Sequence, residues 1–136
     1  MTSRFKPARF GNADNNIITG TLTIAGALVV NPITVTGDEN IPTNTSLVLI
    51  DIQSPPPVTI TLILPNIDDI AVGHTISFKI STETAWPGSR VFINGGAPGQ
   101  GVDGGINCRL RDPWQAVTLC NNGTVWNIIR YFDGTI

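Results

Sequence analysis

The chain has 136 residues, a length that fits one domain with a modest hydrophobic core. Hydrophobic residues make up 41% and charged residues only 13%, and the formal net charge of −2 argues against a general nucleic-acid-binding protein. The longest apolar runs are short and interrupted by Thr or Pro, so we expect no membrane insertion.

Residues 1–16 are predicted to form an extended arm. The first ten, MTSRFKPARF, carry three basic residues and no acid. They lack the apolar core of a secretory signal, so we expect none there. Two interpretations stay open, a frayed terminus or an arm that docks on a partner. The docking interpretation assigns the contact to Arg4, Phe5, Lys6, Arg9 and Phe10.

Residues 17–40 contain short strand-like units. The units at 18–20, 21–26 and 33–37 each alternate β-branched and polar residues and end at a glycine. Each unit has too little apolar surface to form a stable strand by itself. We therefore expect these strands to pair with other strands, in the same chain or in a neighbouring copy.

Residues 41–136 contain longer strand patterns. Residues 46–52 are mostly apolar, residues 58–64 alternate until Pro65, and residues 74–80 alternate again. This alternation predicts which side chains face the core. They are Val58, Ile60, Leu62, Leu64, Ile76, Phe78 and Ile80.

Three further strands are predicted in the second half of the chain, at 90–94, 114–120 and 124–132. The turn Asn121-Asn122-Gly123 between the last two is a strong hairpin signal. Trp126 is predicted to lie in the core. No window of eleven or more residues has a helical period, so the chain is predicted to be all-β.

A glycine-rich stretch, GGAPGQGVDGG at residues 95–105, contains the spacing G-x-G-x-x-G from Gly99 to Gly104. A dinucleotide-binding fingerprint needs a helix directly after the glycines, because the helix N-terminus receives the pyrophosphate. Here Pro113 and strand-like alternation follow instead. The stretch is therefore predicted to be a wide turn that uses glycine for positive φ angles, and we expect no cofactor.

Few residues could support catalysis. His74 is the only histidine, and we expect it to pack at the rim of an apolar face. The acidic pairs Asp68-Asp69 and Asp38-Glu39 are typical of solvated turns. No nucleophile elbow, zinc-protease motif or calcium loop occurs. We therefore expect no enzyme, no catalytic residue and no metal site; a small hydrolase would need an ordered pocket near His74 and the acids.

The chain has two cysteines, Cys108 and Cys120. Their spacing fits neither a metal site nor a dense disulfide framework. A disulfide between them is one alternative, but we favour two reduced, partly buried thiols.

Five segments occur in a characteristic order: TITLILP at 59–65, GHTISFKI at 73–80, VFING at 91–95, VTL at 117–119 and NGTVWNII at 122–129. Together they resemble the trimeric knob or spike module of bacteriophage and large-virus fibre, tail-fibre and capsid decoration proteins. The resemblance covers roughly residues 41–132. It implies an antiparallel β-sandwich or jelly-roll-like knob at 41–136, preceded by shaft-like strands at 17–40 and the arm at 1–16.

The resemblance also implies a function. The chain would be a virion structural protein, assembled in the host cytoplasm as a homotrimeric capsid decoration protein, head spike or short fibre. The N-terminal arm would anchor it to the major capsid or tail protein. In a trimer, the short strands of 17–40 can pair with neighbouring copies. The alternative is a receptor- or glycan-binding tail-fibre tip, with Trp86 and the loop at 95–105 touching a host surface glycan.

Overall fold

The computed structural model describes residues 32–82 and 88–135, together with Gly20, Thr21, Thr23, Ala25 and Gly26. Two sets of predicted site residues therefore lie outside the described residues. These are the anchoring residues Arg4, Phe5, Lys6, Arg9 and Phe10, and the glycan-contact residue Trp86.

Nine β-strands and one 3₁₀ turn make up the regular structure of the described residues, and the all-β prediction is confirmed for this part of the chain. The turn spans Ile67–Asp69, within the stretch where the sequence predicts solvated acids. The strands are β1 (Pro32–Val35), β2 (Glu39–Asn40), β3 (Leu47–Ile50), β4 (Thr59–Ile63), β5 (Thr75–Ile80), β6 (Arg90–Asn94), β7 (Asn107–Leu110), β8 (Ala116–Asn121) and β9 (Trp126–Phe132).

The strands form two mixed sheets, and the chain visits the two sheets alternately as far as β6. The five-stranded sheet has the order β1-β3-β5-β8-β9, and the four-stranded sheet has the order β2-β4-β6-β7. The pairs β1–β3, β3–β5, β2–β4 and β4–β6 are parallel. The pairs β5–β8, β6–β7 and β8–β9 are antiparallel.

The antiparallel arrangement predicted for residues 41–136 is therefore wrong for the pairs β3–β5 and β4–β6. A hairpin returns the chain beside the strand it has just left, whereas parallel neighbours need a crossover between them. Here each crossover contains a strand of the other sheet, so that β4, for example, lies in the chain between β3 and β5. Alternation along a strand specifies its buried face but not its partner.

Both sheets contribute to one hydrophobic core cluster. The predicted inward faces are confirmed, since Ile60, Leu62, Ile76, Phe78 and Ile80 are at most 1% exposed. Leu64 is also buried, and Val58 is partly buried and packs against the cluster. Trp126 is fully buried, as predicted.

β1 and β2 come from the segment predicted to contain short shaft-like strands, and each is an outer strand of one sheet. β1 pairs with β3 along all four of its residues. Val35, at the end of β1, is 4% exposed and belongs to the core. Part of the segment 17–40 thus finds its partner strand within the same chain.

Candidate interaction surface at the β9 edge

β9 is an outer strand of the five-stranded sheet and exposes apolar side chains to solvent. Seven large hydrophobic residues of the described chain are exposed, and four of them lie in β9 while a fifth, Trp114, lies beside it. We call these five residues the β9 patch. Their exposed fractions are 38% for Trp114, 36% for Ile128, 52% for Ile129, 56% for Tyr131 and 40% for Phe132.

The turn before β9 is built as the sequence predicts. The Asn122 side-chain oxygen accepts hydrogen bonds from the backbone N–H groups of Thr124 and Val125, both at 2.9 Å. Gly123 adopts a φ of 95°, which side-chain-bearing L residues rarely adopt. The Asn121 side-chain oxygen accepts from the N–H of Gly123 at 2.7 Å. These bonds fix where β9 begins and therefore its register against β8.

The glycine-rich loop covers the first half of the β9 edge. The N–H of Trp126 donates to the carbonyl of Gly101 at 3.0 Å, and the N–H of Asp103 donates to the carbonyl of Trp126 at 2.9 Å. The Asp103 carboxylate then accepts from the N–H of Ile128 at 3.0 Å. Beyond Ile128, no residue in the described part of the chain pairs with the side of β9 that faces away from β8.

The glycines of this loop have structural roles of two kinds. The predicted positive φ angles are confirmed at Gly99 and Gly104, with values of 80° and 77°. Gly101 is required for another reason, since a Cβ there would overlap the carbonyl oxygen of Gly105. The loop joins the antiparallel strands β6 and β7, so the glycines precede a strand rather than a phosphate-binding helix.

A β-bulge brings apolar side chains to both faces of β9. Thr118 pairs with Arg130 while the next β8 residue, Leu119, pairs with Ile128, so Ile129 is an extra residue in the ladder. Residues directly opposite each other share a face. Tyr131 therefore lies on the buried side of the sheet, opposite Val117, at a margin where it remains exposed.

A lysine links the two aromatic residues on the other face. The Lys79 ammonium group lies 5.2 Å from the centroid of the Phe132 ring and 6.0 Å from that of Trp114. It also donates a hydrogen bond to the Trp114 carbonyl at 2.5 Å. Trp114 was predicted to begin a strand, but it lies in a turn with a φ of 65°, in the left-handed region that costs energy for a residue with a side chain.

The side chain of Gln115 stabilises the turn that contains Trp114. Its side-chain oxygen accepts from the N–H groups of Arg111 at 2.6 Å and Asp112 at 3.1 Å. Its amide group donates to the Tyr131 hydroxyl at 2.8 Å. Because Gln115 is only 6% exposed, it ties the turn that presents Trp114 to the strand that presents Tyr131.

His74 and the acidic pair line a separate open cleft of about 550 Å³. His74 is half-buried, and its Nε2 lies 2.7 Å from the carbonyl oxygen of Thr45, so this nitrogen donates a hydrogen bond to the backbone. The lining includes Asp68, Asp69 and the hydroxyl-bearing Thr43, but no serine or cysteine. Among the described residues, no group of three or more His, Cys, Asp or Glu is placed to hold a metal ion.

The two cysteines are both free, as we favoured. Cys108 lies in the four-stranded sheet and Cys120 in the five-stranded sheet. Burial raises the pKa of the Cys108 thiol, and the negative charge of Asp103 raises it further. Cys108 is therefore a neutral thiol at neutral pH.

The β9 patch was not predicted from the sequence, although a signal for it exists. Residues 128–132, IIRYF, carry apolar side chains at both odd and even positions. A strand can bury only one face against a single core, so such a run leaves apolar side chains outside it. For residues 128–132 the sequence pattern predicted only that they belong to the last strand.

No protein-family model and no curated protein matches the chain. The described residues include no helix that is long and apolar enough to cross a membrane. The β9 patch contains most of the exposed large apolar side chains of the described residues.

Proposed function

We propose that this chain is a non-enzymatic structural protein that assembles as a homotrimer in a virion, as a capsid decoration protein, head spike or short fibre. The β9 patch carries the proposal. An outer strand with apolar side chains and half of its edge unpaired in the described structure offers a template for another chain. Soluble monomers usually protect such edges with charges, prolines or covering loops. Here the covering loop stops at Ile128, and the free half of the edge carries one charged side chain, Arg130.

The β9 patch is large enough to be a functional surface. With about 200 Å² for each of the five side chains, their exposed fractions amount to roughly 450 Å² of mostly apolar surface. This lies within the range of about 300–600 Å² for the largest apolar patch of a typical monomer, a patch that is often functional. The low charged content of the whole chain, 13%, also suits a protein that buries part of its surface in an assembly.

The virion context comes from the resemblance of residues 41–132 to viral knob and spike modules. Two mixed sheets that share one core are compatible with a small β-sandwich knob. The proposed anchor to the major capsid or tail protein is the arm, through Arg4, Phe5, Lys6, Arg9 and Phe10. The glycan-binding alternative stays a prediction, since Trp86 lies outside the described residues.

Light scattering on the intact protein tests the proposal. We expect the mass of three chains, and a mass of one chain would contradict it. A variant lacking residues 1–10 should remain trimeric but lose binding to purified capsids or tails, because the arm is proposed to face the virion. A full-length variant with Val72→Lys serves as the control, since Val72 is 71% exposed and lies outside both surfaces.

A further inference from the structure

We propose that the free half of the β9 edge binds the β1 edge of a neighbouring copy, so that the five-stranded sheets of the copies join head to tail. This inference rests on the proposed homotrimer and specifies how its copies meet. A contact between two different surfaces of the same protein forms a closed ring when the rotation closes, and three copies are the smallest such ring beyond a dimer.

β1 has backbone groups available for this pairing. The carbonyl of Val35 accepts from the N–H of Asp51 at 2.9 Å, on the side of β3. Successive residues in a strand direct their backbone groups to opposite sides. The N–H and carbonyl of Thr34 therefore point away from β3, and no residue within the described ranges bonds to them.

β9 has the matching groups. In β8, the N–H of Asn121 donates to the carbonyl of His74 at 3.0 Å, on the side of β5. Thr118 lies three residues before Asn121 in the same strand. Because three is an odd number, the backbone groups of Thr118 point to the opposite side, toward β9, where Thr118 pairs with Arg130. The N–H and carbonyl of Tyr131 consequently point outward, away from β8.

The two edges also match in length. The glycine-rich loop ends its contact with β9 at Ile128, which leaves residues 129–132 free. β1 consists of the four residues Pro32–Val35. A partner strand that extended past residue 129 toward Ile128 would collide with the loop at Asp103, and a strand as short as β1 fits the free edge.

Charge favours β1 over a second β9 as the occupant. Residues 129–132 carry one charged side chain, the exposed Arg130, and Asp133 beyond them accepts from the N–H of Thr135 at 2.9 Å in its own turn. Pairing β9 with β9 of another copy would bring two Arg130 side chains to one edge. β1 is uncharged and is followed by two exposed acids. Asp38 accepts from the N–H of Thr61 at 2.7 Å, so Glu39 is the acid that complements Arg130.

The area is sufficient for a stable contact. A standard interface buries about 800 Å² on each partner, of which a little over half is apolar. The roughly 450 Å² of apolar surface in the β9 patch supplies that apolar share on one side. The strand backbone and the polar rim, including Arg130, supply the remainder.

A complementation experiment tests the head-to-tail contact. Thr34→Pro removes the outward N–H of β1 and leaves the β3 side intact, since proline is tolerated where the N–H faces away from the sheet. Ile129→Lys places a charge at the free edge of β9. Each variant keeps one intact surface. We expect each alone to have the mass of one chain, and an equimolar mixture to contain a species of two chains.

Two further variants serve as a control and as a second test of the β1 edge. Val72→Lys makes the same kind of change at an exposed aliphatic residue away from both edges and should remain trimeric. Thr34→Lys keeps the N–H but adds a charge, and should also prevent assembly if the proline variant fails to fold. Far-UV circular dichroism and a cooperative urea-unfolding transition report whether each variant is folded.

The outcomes separate this inference from the proposed function. If the parent protein is a trimer and Thr34→Pro and Thr34→Lys both remain trimers, the β1 contact is wrong while the homotrimer stands. If the parent has the mass of one chain, both proposals fail. A mixture that yields no two-chain species, from variants that are each monomeric and folded, also overturns the head-to-tail contact.

Discussion

The ammonium group of Lys79 lies 5.2 Å from the centroid of the Phe132 ring, across the full width of β8. Lys79 is opposite Ala116, and Ala116 is opposite Phe132, so the three residues form a row on one face of the sheet. The small side chain of Ala116 leaves room for the lysine to reach over it. This row connects the interior strand β5 to the exposed end of β9.

We expect Lys79 and Phe132 to be energetically coupled. A double-mutant cycle with Lys79→Met and Phe132→Leu, measured by urea unfolding, should give a coupling of about 0.5–1 kcal/mol, because a cation over an aromatic face is attracted by the ring quadrupole. Lys79→Met combined with Phe92→Leu is the control. Phe92 lies under Arg109 instead, at 5.9 Å, so this pair should be additive. Additivity in both cycles would show that the Lys79–Phe132 contact contributes nothing.

Gln115 is expected to be the most sensitive polar residue near the β9 patch. Gln115→Ala removes the acceptor of two backbone N–H groups and the donor to Tyr131. We expect a loss of about 1–3 kcal/mol in the free energy of unfolding, since each lost partner leaves a polar group to find water. Gln115→Glu keeps an acceptor oxygen but places a buried carboxylate beside that of Asp112, so it should also destabilise the protein. Gln53→Ala, at an exposed glutamine, should change stability by less than about 0.5 kcal/mol.

Three glycine substitutions should differ in a fixed order. Gly101→Ala should cost about 3 kcal/mol, because its Cβ would overlap the carbonyl oxygen of Gly105 and push the loop off β9. Gly99→Ala should cost about 1 kcal/mol, since its φ is 80° but the space around it is open. Gly37→Ala has open space and no positive φ, so it should be close to neutral. Denaturant midpoints measure the order, and equal effects at all three would contradict the close-approach explanation.

The two thiols should react at different rates in the folded protein. Burial raises the pKa of Cys108, so its thiolate fraction at pH 8 is lower than that of a free cysteine, and its 8% exposure also limits access. A thiol-reactive dye should label the half-buried Cys120 first, and urea should equalise the two. The variants Cys108→Ser and Cys120→Ser identify each signal. Faster labelling of Cys108 would disprove its assignment as the protected thiol.

The same pKa shift predicts a change of stability with pH. The pKa of Cys108 is higher in the folded state than in the unfolded state, where a cysteine has a pKa of about 8.5. The unfolded state therefore binds fewer protons above that pH, and the free energy of unfolding falls as pH rises. Cys108→Ser should remove this part of the decline between about pH 8.5 and the higher folded-state pKa. An unchanged pH profile would argue against the shift.

Local patterns in the sequence determined the strand positions, the buried faces and the last turn. Alternation placed Ile60 and Phe78 inward, and Asn122 and Gly123 marked the hairpin, because each of these features depends on residues within one strand or one turn. Two strands were missed. β2 has only two residues, and its Glu39 belongs to an acidic pair predicted to be a solvated turn. β7, with the residues NCRL, carries the polar Asn107 and Arg109 directly after the glycine-rich loop.

The tertiary structure alone decided which strands are neighbours and which surface remains open. The parallel pairing of the first six strands, the need for glycine at position 101 and the free edge beyond Ile128 all depend on residues far apart in the chain. The alternation of side chains along a strand indicates which of them are buried. It does not indicate which strands pair, because the backbone N–H and carbonyl groups that join strands are the same in nearly every residue. The side-chain pattern therefore specifies the core of this protein, and only the assembled sheets show where its edges are.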